Sequence, residues 1–237
     1  MKRIAKFLWL TLLVAGVATA SKADQIHGMK PSRPVNTKAS ACASATAQID
    51  LDINNVRALI MNGGDMWWDR GLQVARYEVP KIDPPGSAQS VSSLFAASIW
   101  VGGIDNAGNL RVAAQTYRQG GNDYYPGPLD ATGTVDQQTC TNYDRFWKLN
   151  LTDIQTYKAL GTKTVSNVPK AILEWPAKGN PYAVGTNSTS LVINDQLAPF
   201  FDVDNDQNYD PLSGDYPAFD PTDTTVMPDQ MIWWVYN

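Results

Sequence analysis

Histidine, glutamate and cysteine are scarce in this chain. Its 237 residues hold one His and two Cys, and of 23 acidic side chains only Glu78 and Glu174 are glutamate, the other 21 being Asp. The lone imidazole, His27, sits in a stretch of small and polar residues. A Ser-His-Asp triad, a Cys-His pair and a His-ligated zinc site each need an imidazole held by packing, so the sequence excludes them for the region that follows. No Gly-x-Ser-x-Gly, Gly-rich phosphate loop or dinucleotide fingerprint occurs either. Glu favours helix interiors, whereas Asp favours turns, caps and hard-cation sites, so the imbalance predicts a chain of strand and loop. The 17 Gly and 15 Pro point the same way. Hydrophobic residues at 43% and charged residues at 18% fit a globular protein.

Long apolar runs are also missing. Residues 1–20 have Lys2, Arg3 and Lys6, then a short apolar stretch from Phe7 to Val17, then Ala18-Thr19-Ala20. A basic head, a short apolar core and a small-x-small exit describe a secretory signal peptide, with cleavage expected after Ala20 or, as runner-up, Ala23. The run is shorter than the ~20 residues of a bilayer span, which disfavours a membrane anchor, and no later stretch could cross a membrane. Removal of the signal leaves 16 basic and 23 acidic side chains, a net charge of −7. That balance disfavours nucleic acid as a partner. Export permits a disulfide between Cys42 and Cys140, but the sequence does not decide whether they meet.

Residues 21–48 have almost no large apolar side chains and read as a flexible leader. Residues 49–237 read as one mainly β domain, antiparallel and β-sandwich-like, with long loops and one short helix. The clearest hairpin joins Ser93–Val101 to Leu110–Tyr117 across Asp105-Asn106-Ala107-Gly108-Asn109, with Gly102 and Gly103 marking a bulge or a close backbone approach. Leu72–Pro80 reads as a strand and 120–138 as loop. The helix lies between an Asn150 or Thr152 cap and Gly161, with Ile154, Tyr157 and Leu160 at helical spacing. The aromatic run Met231–Asn237 reads as a buried strand without a closing turn, which suggests a truncated piece of a longer protein.

Lysine and arginine are absent from the last 59 residues, which carry nine Asp. Residues 21–178 have a net charge of +2, so the negative charge of the exported chain resides in its last quarter. Repulsion among these carboxylates calls for a cation or abundant water. Between Asp202 and Asp215, carboxylates stand at offsets 1, 3, 5, 9 and 14: Asp202, Asp204, Asp206, Asp210 and Asp215. With a backbone carbonyl from Asn208 at offset 7, hard oxygens at such spacing suit Ca²⁺. Gln207 and Ser213 stand where a helical calcium hand has Gly and Glu, and Pro211 forbids a continuing helix, so the expectation is a non-helical calcium loop of structural role, pinning a segment with no core of its own. A solvated acidic turn is the simpler alternative.

Other carboxylates and the aromatics allow further readings. Asp65, Asp69 and Asp123 sit among aromatics and are first candidates for a hydrolytic pair, against hydrogen-bonded turn acids. Trp67-Trp68, Trp100, Trp147, Trp175, Trp233-Trp234, Tyr124-Tyr125 and Tyr143 form either the core or a sugar-stacking face. Adjacent Trp on a strand point to opposite faces.

Several strings in order carry a resemblance: Leu51-Asp52-Ile53-Asn54-Asn55-Val56-Arg57-Ala58, Asn62-Gly63-Gly64-Asp65-Met66-Trp67-Trp68-Asp69, Ile99-Trp100-Val101-Gly102-Gly103, Leu110 to Arg118, Asn122 to Leu129, and Leu197 to Asp204. Across most of residues 49–237 the chain resembles the N-terminal region of large surface or secreted proteins of Bacteroidota that use the type IX secretion system. The resemblance implies a longer chain ending in a sorting domain, which is not in this sequence, and the secretion machinery as a partner. It also implies an acidic loop with Gly at position 207 and an acid near 213, and so weaker calcium binding here. The resulting expectation is a non-catalytic, exported structural or adhesive module with a structural calcium loop and neighbouring domains or surface glycans as partners. A carbohydrate-binding module or a carboxylate-pair glycoside hydrolase fragment is the alternative.

Overall fold

A computed structural model describes residues 42–115 and 123–237. The proposed signal peptide, His27 and most of the proposed leader therefore lie outside the described residues. The strands are β1 (Gln48–Leu51), β2 (Arg57–Met61), β3 (Asp65–Met66), β4 (Trp68–Asp69), β5 (Val74–Ala75), β6 (Tyr77–Glu78), β7 (Ala97–Ser98), β8 (Trp100–Ile104), β9 (Leu110–Ala114), β10 (Trp147–Asn150), β11 (Phe200–Phe201), β12 (Tyr216–Pro217) and β13 (Gln230–Trp233). The helices are α1 (Gln137–Tyr143), α2 (Leu151–Ala159) and α3 (Lys170–Leu173). The fold is mainly antiparallel β, sandwich-like with long loops.

The first sheet runs β1-β2-β3-β7, with β6 also paired to β2, and four two-stranded ribbons complete the sheet structure among the described residues. β2 is central because it is apolar enough to be covered: Ala58, Leu59 and Met61 are all buried. The hairpin expected around Gly108 is β8–β9, paired from Trp100↔Ala114 to Ile104↔Leu110. Its register passes through Gly102↔Val112 and Gly103↔Arg111 without a bulge, and a Cβ on Gly103 would meet nothing.

The main core gathers the second half of the chain. Trp147, Trp175, Ile172, Tyr157, Tyr209, Phe200 and Tyr216 are buried in one cluster. β13 crosses this core beside β10 with Trp147 opposite Trp233. It is half-buried rather than fully buried as its composition suggests. Adjacent tryptophans part as a strand requires, Trp233 packing on Trp147 at 5.4 Å and Trp234 on Phe146 at 5.5 Å.

Three expectations need correction. The leader is not free up to residue 48: Cys42 and Cys140 form a disulfide, Ala45 is buried, and the amides of Thr46 and Ala47 donate to Asp144 at 2.8 and 3.0 Å. Bonding to α1 offsets the ordering entropy that small side chains could not. Leu72–Pro80 is two short strands separated by Arg76 rather than one. Among the described residues there are three α-helices where one was expected. α2 is the expected helix, its Asn150 amide donating to Asp153 at 2.8 Å in a capping box. α1 begins at the end of the 120–138 stretch read as loop and runs beyond it, into residues given no element; Asp136 caps the Thr139 amide at 2.6 Å and Cys140 and Tyr143 face inward.

Candidate metal centre

The acidic loop is the connection of a short β-hairpin. β11 ends at Phe201 and β12 begins at Tyr216, and the pairs Phe200↔Pro217 and Phe201↔Tyr216 close its base. All four of those side chains are buried. Halfway along, Tyr209 turns into the core, its hydroxyl donating to Ile172 O at 2.7 Å and its amide to Lys178 O at 2.7 Å. Tyr157 donates to Pro211 O at 2.9 Å. The loop thus has its own apolar anchor, contrary to the expectation that only an ion could pin it. Burial raises the pKa of the Tyr209 phenol well above its ordinary value, so it stays a neutral donor.

Three of the six expected ligands converge. One carboxylate oxygen each from Asp202, Asp204 and Asp215 lies within 4.8 Å of the others. A cation bound at about 2.3–2.6 Å holds its ligand oxygens within roughly 5 Å of one another, so the spacing fits one ion. Asp202 also accepts the Asp206 and Gln207 amides at 3.2 and 2.8 Å, and Asp204 accepts the Asp206 amide at 3.3 Å. Left-handed backbone at Asn205 (φ 62°) and Gln207 (φ 67°) winds the loop tightly enough for this. Gln207 takes a conformation that Gly adopts without steric cost.

Asp215 closes the loop across its ends. Its oxygens accept the Val203 and Asp210 amides, both at 2.8 Å, and the residue is 1% exposed. Burial raises its pKa, with the neighbouring charges of Asp202 and Asp204 acting in the same direction. The remaining expected ligands have other partners. Asp210 accepts Leu212 N at 2.9 Å and Ser213 Oγ at 2.7 Å, so it caps a turn. Asp206 accepts the Asn208 amide at 2.7 Å, and the Asn208 side chain lies where a Cβ on Gly179 would come within 2.7 Å. No Lys or Arg pairs with the loop's carboxylates among the described residues.

The acids considered for hydrolysis are placed differently from one another. Asp69 accepts Gly71 N and Leu72 N and pairs with Arg76 at 2.7 Å, and Asp123 accepts Ala114 N at 2.9 Å. Asp65 is buried, and its closest cation is Arg70 Nε at 3.8 Å. Trp68, Trp147 and Trp175 are in the interior, whereas Trp100 is 68% exposed. Within the described residues no helix is long and apolar enough to cross a membrane. No family model, curated protein or solved structure matches the chain.

Proposed function

We propose that this protein is an exported, non-catalytic structural module whose 202–215 loop binds a calcium ion. The observation that carries the reading is the convergence of Asp202, Asp204 and Asp215 within 4.8 Å in a region devoid of basic residues. Two or three carboxylates with loop carbonyls and water supply the oxygen shell Ca²⁺ takes, and their negative charge is what such an ion offsets. Export is supported by the signal-like first twenty residues and by the Cys42–Cys140 bond, which an oxidising compartment preserves. Of the seven described tryptophans, Trp68, Trp147 and Trp175 are buried, three are partly buried and Trp100 is exposed, which favours a packing role for them over a sugar-stacking strip.

The test is a melting curve with calcium or with chelator. A ligand at a hundred times its Kd stabilises by about 2.7 kcal/mol, roughly 5–10 °C in a domain of this size. Calcium should raise Tm in the wild type and leave Asp204→Ala unmoved. Identical Tm values in millimolar Ca²⁺ and in chelator sink the reading.

A further inference from the structure

A polar groove lies apart from the metal loop, walled by the α1–β10 corner, α3 and the turn Thr186–Ser188. Its larger lobe, about 470 Å³, is lined among others by Gln48, Arg145, Phe146, Glu174, Asn187 and Ser188. A second lobe of about 290 Å³ continues past Trp147 and Lys148, and Arg145, Phe146, Lys170 and Glu174 line both. The larger lobe has the volume of a small-molecule site.

The turn is held firmly from below. Arg145 donates to Val184 O and Gly185 O at 2.7 and 2.9 Å, and Thr186 Oγ donates to Asp144 O at 3.1 Å. A Cβ on Gly185 would come within 2.5 Å of Asn142 O, so only Gly lets the turn sit this close. Above this base, Asn187 and Ser188 are consecutive left-handed residues, φ 55° and 58°. Such backbone in Ser costs on the order of 1 kcal/mol and recurs where a segment is shaped for a ligand. The exposed side chains of Gln48, Asn187 and Ser188 make no hydrogen bond among the described residues.

Charge and backbone narrow the ligand class. Arg145 and Lys170 both face Glu174, at 3.6 and 3.3 Å, Lys148 is paired with Asp52 at 2.6 Å, and Asp144 lines the same wall, so the charges around the groove balance and it offers no net charge to an ion. The outer edge of β1 beside it is already capped: Lys148 donates to Asp50 O at 2.8 Å and Asp52 N donates to Gln230 Oε1 at 2.9 Å. An extended peptide would find no continuous ladder there. What remains is two primary amides, a hydroxyl and a guanidinium–carboxylate pair around the half-exposed Phe146 ring. Sugar hydroxyls both donate and accept, and sugar C–H faces pack on aromatic rings, so this set matches a carbohydrate.

We propose that the groove binds a neutral oligosaccharide, with Gln48, Asn187 and Ser188 bonding its hydroxyls and Phe146 packing under a ring. The test is a ¹H–¹⁵N NMR titration of the full chain with cellopentaose, xylopentaose, mannopentaose and chitopentaose at millimolar concentration. At least one sugar should shift the side-chain amides of Gln48 and Asn187. Asn187→Gly relieves the left-handed backbone, so it should keep or raise Tm while weakening that binding about tenfold. No shift with any of the four sugars, binding unchanged in Asn187→Gly, or a heparin hexasaccharide shifting these amides where the neutral sugars do not would overturn the proposal. The readout is independent of calcium, so failure here leaves the metal loop standing.

Discussion

Two carboxylate-rich regions of this protein hold their charge in opposite ways. In the first sheet, Arg57 and Arg76 stand among Asp50, Asp69, Glu78 and Asp83. Arg57 pairs with Glu78 at 2.8 Å and with Asp83, and Arg76 pairs with Asp69 at 2.7 Å and Asp50 at 2.6 Å. Glu78 is fully buried and also accepts Gly86 N at 2.7 Å. In the 202–215 loop three carboxylates share a similar volume with backbone amides as their donors and no guanidinium. The chain supplies its own counter-charge in one region and leaves it to the surroundings in the other. Stability should therefore answer to mutation in the first region and to solution composition in the second.

The largest effect should come from Arg57→Met. Removing one partner leaves Glu78 as an uncompensated buried charge, a loss of about 3–5 kcal/mol in urea unfolding at neutral pH. A loss below about 1 kcal/mol would erase the contrast between the regions. The same variant should still gain Tm on calcium addition, by the same amount as the wild type, whereas Asp204→Ala should lose that gain while keeping most of its calcium-free stability.

Next in size is the response to pH. Burial raises Asp215, so without calcium its contribution is complete below the unfolded carboxylate value, about 3.9, and is lost as pH rises through the higher folded value. For Asp69 burial opposes ionisation, but the Leu72 amide and Arg76 prevail and hold its pKa down. Its contribution is present above about 3.9 and is lost as pH falls through the lower folded value. Calcium-free stability measured from pH 4 to 7 should decline less in Asp215→Asn than in the wild type, and calcium should flatten the wild-type decline. Equal slopes with and without the substitution would mean that Asp215 is not the titrating group. The smallest effect expected is Gln207→Gly, which removes left-handed strain at φ 67° and should raise stability by up to about 1 kcal/mol or tighten calcium binding. Thermal melts at several calcium concentrations separate the two.

Local pattern made part of this legible. The β8–β9 hairpin and α2 follow from turn residues, alternation and a capping Asn, all within a dozen positions of one another. Asp202, Asp204 and Asp215 were all recognisable from loop spacing, though not as the three that meet. Asp215 joins the first two while Asp206 and Asp210 do not, because the β11–β12 pairing brings the loop's far end back and spends the nearer acids on turns. The Arg57–Glu78 pair spans 21 residues and depends on β2 meeting β6, a register no local period announces. α1 escaped notice because Gln137–Tyr143 has weak helical propensity; its Asp136 cap, disulfide and buried Tyr143 hold it from outside. The groove at Asn187 and Ser188 depends on backbone angles, which composition does not encode.

The bond between Cys42 and Cys140 spans 98 positions, with a Cα separation of 5.8 Å. A tug on the segment before Cys42 would pass through this covalent tie into α1 rather than unzip β1 from β2. A protease nick anywhere from β1 to Asp136 would leave both pieces tethered. The first sheet, which lies between the two cysteines in sequence, is thus enclosed by a covalent loop as well as held by its own strand pairing.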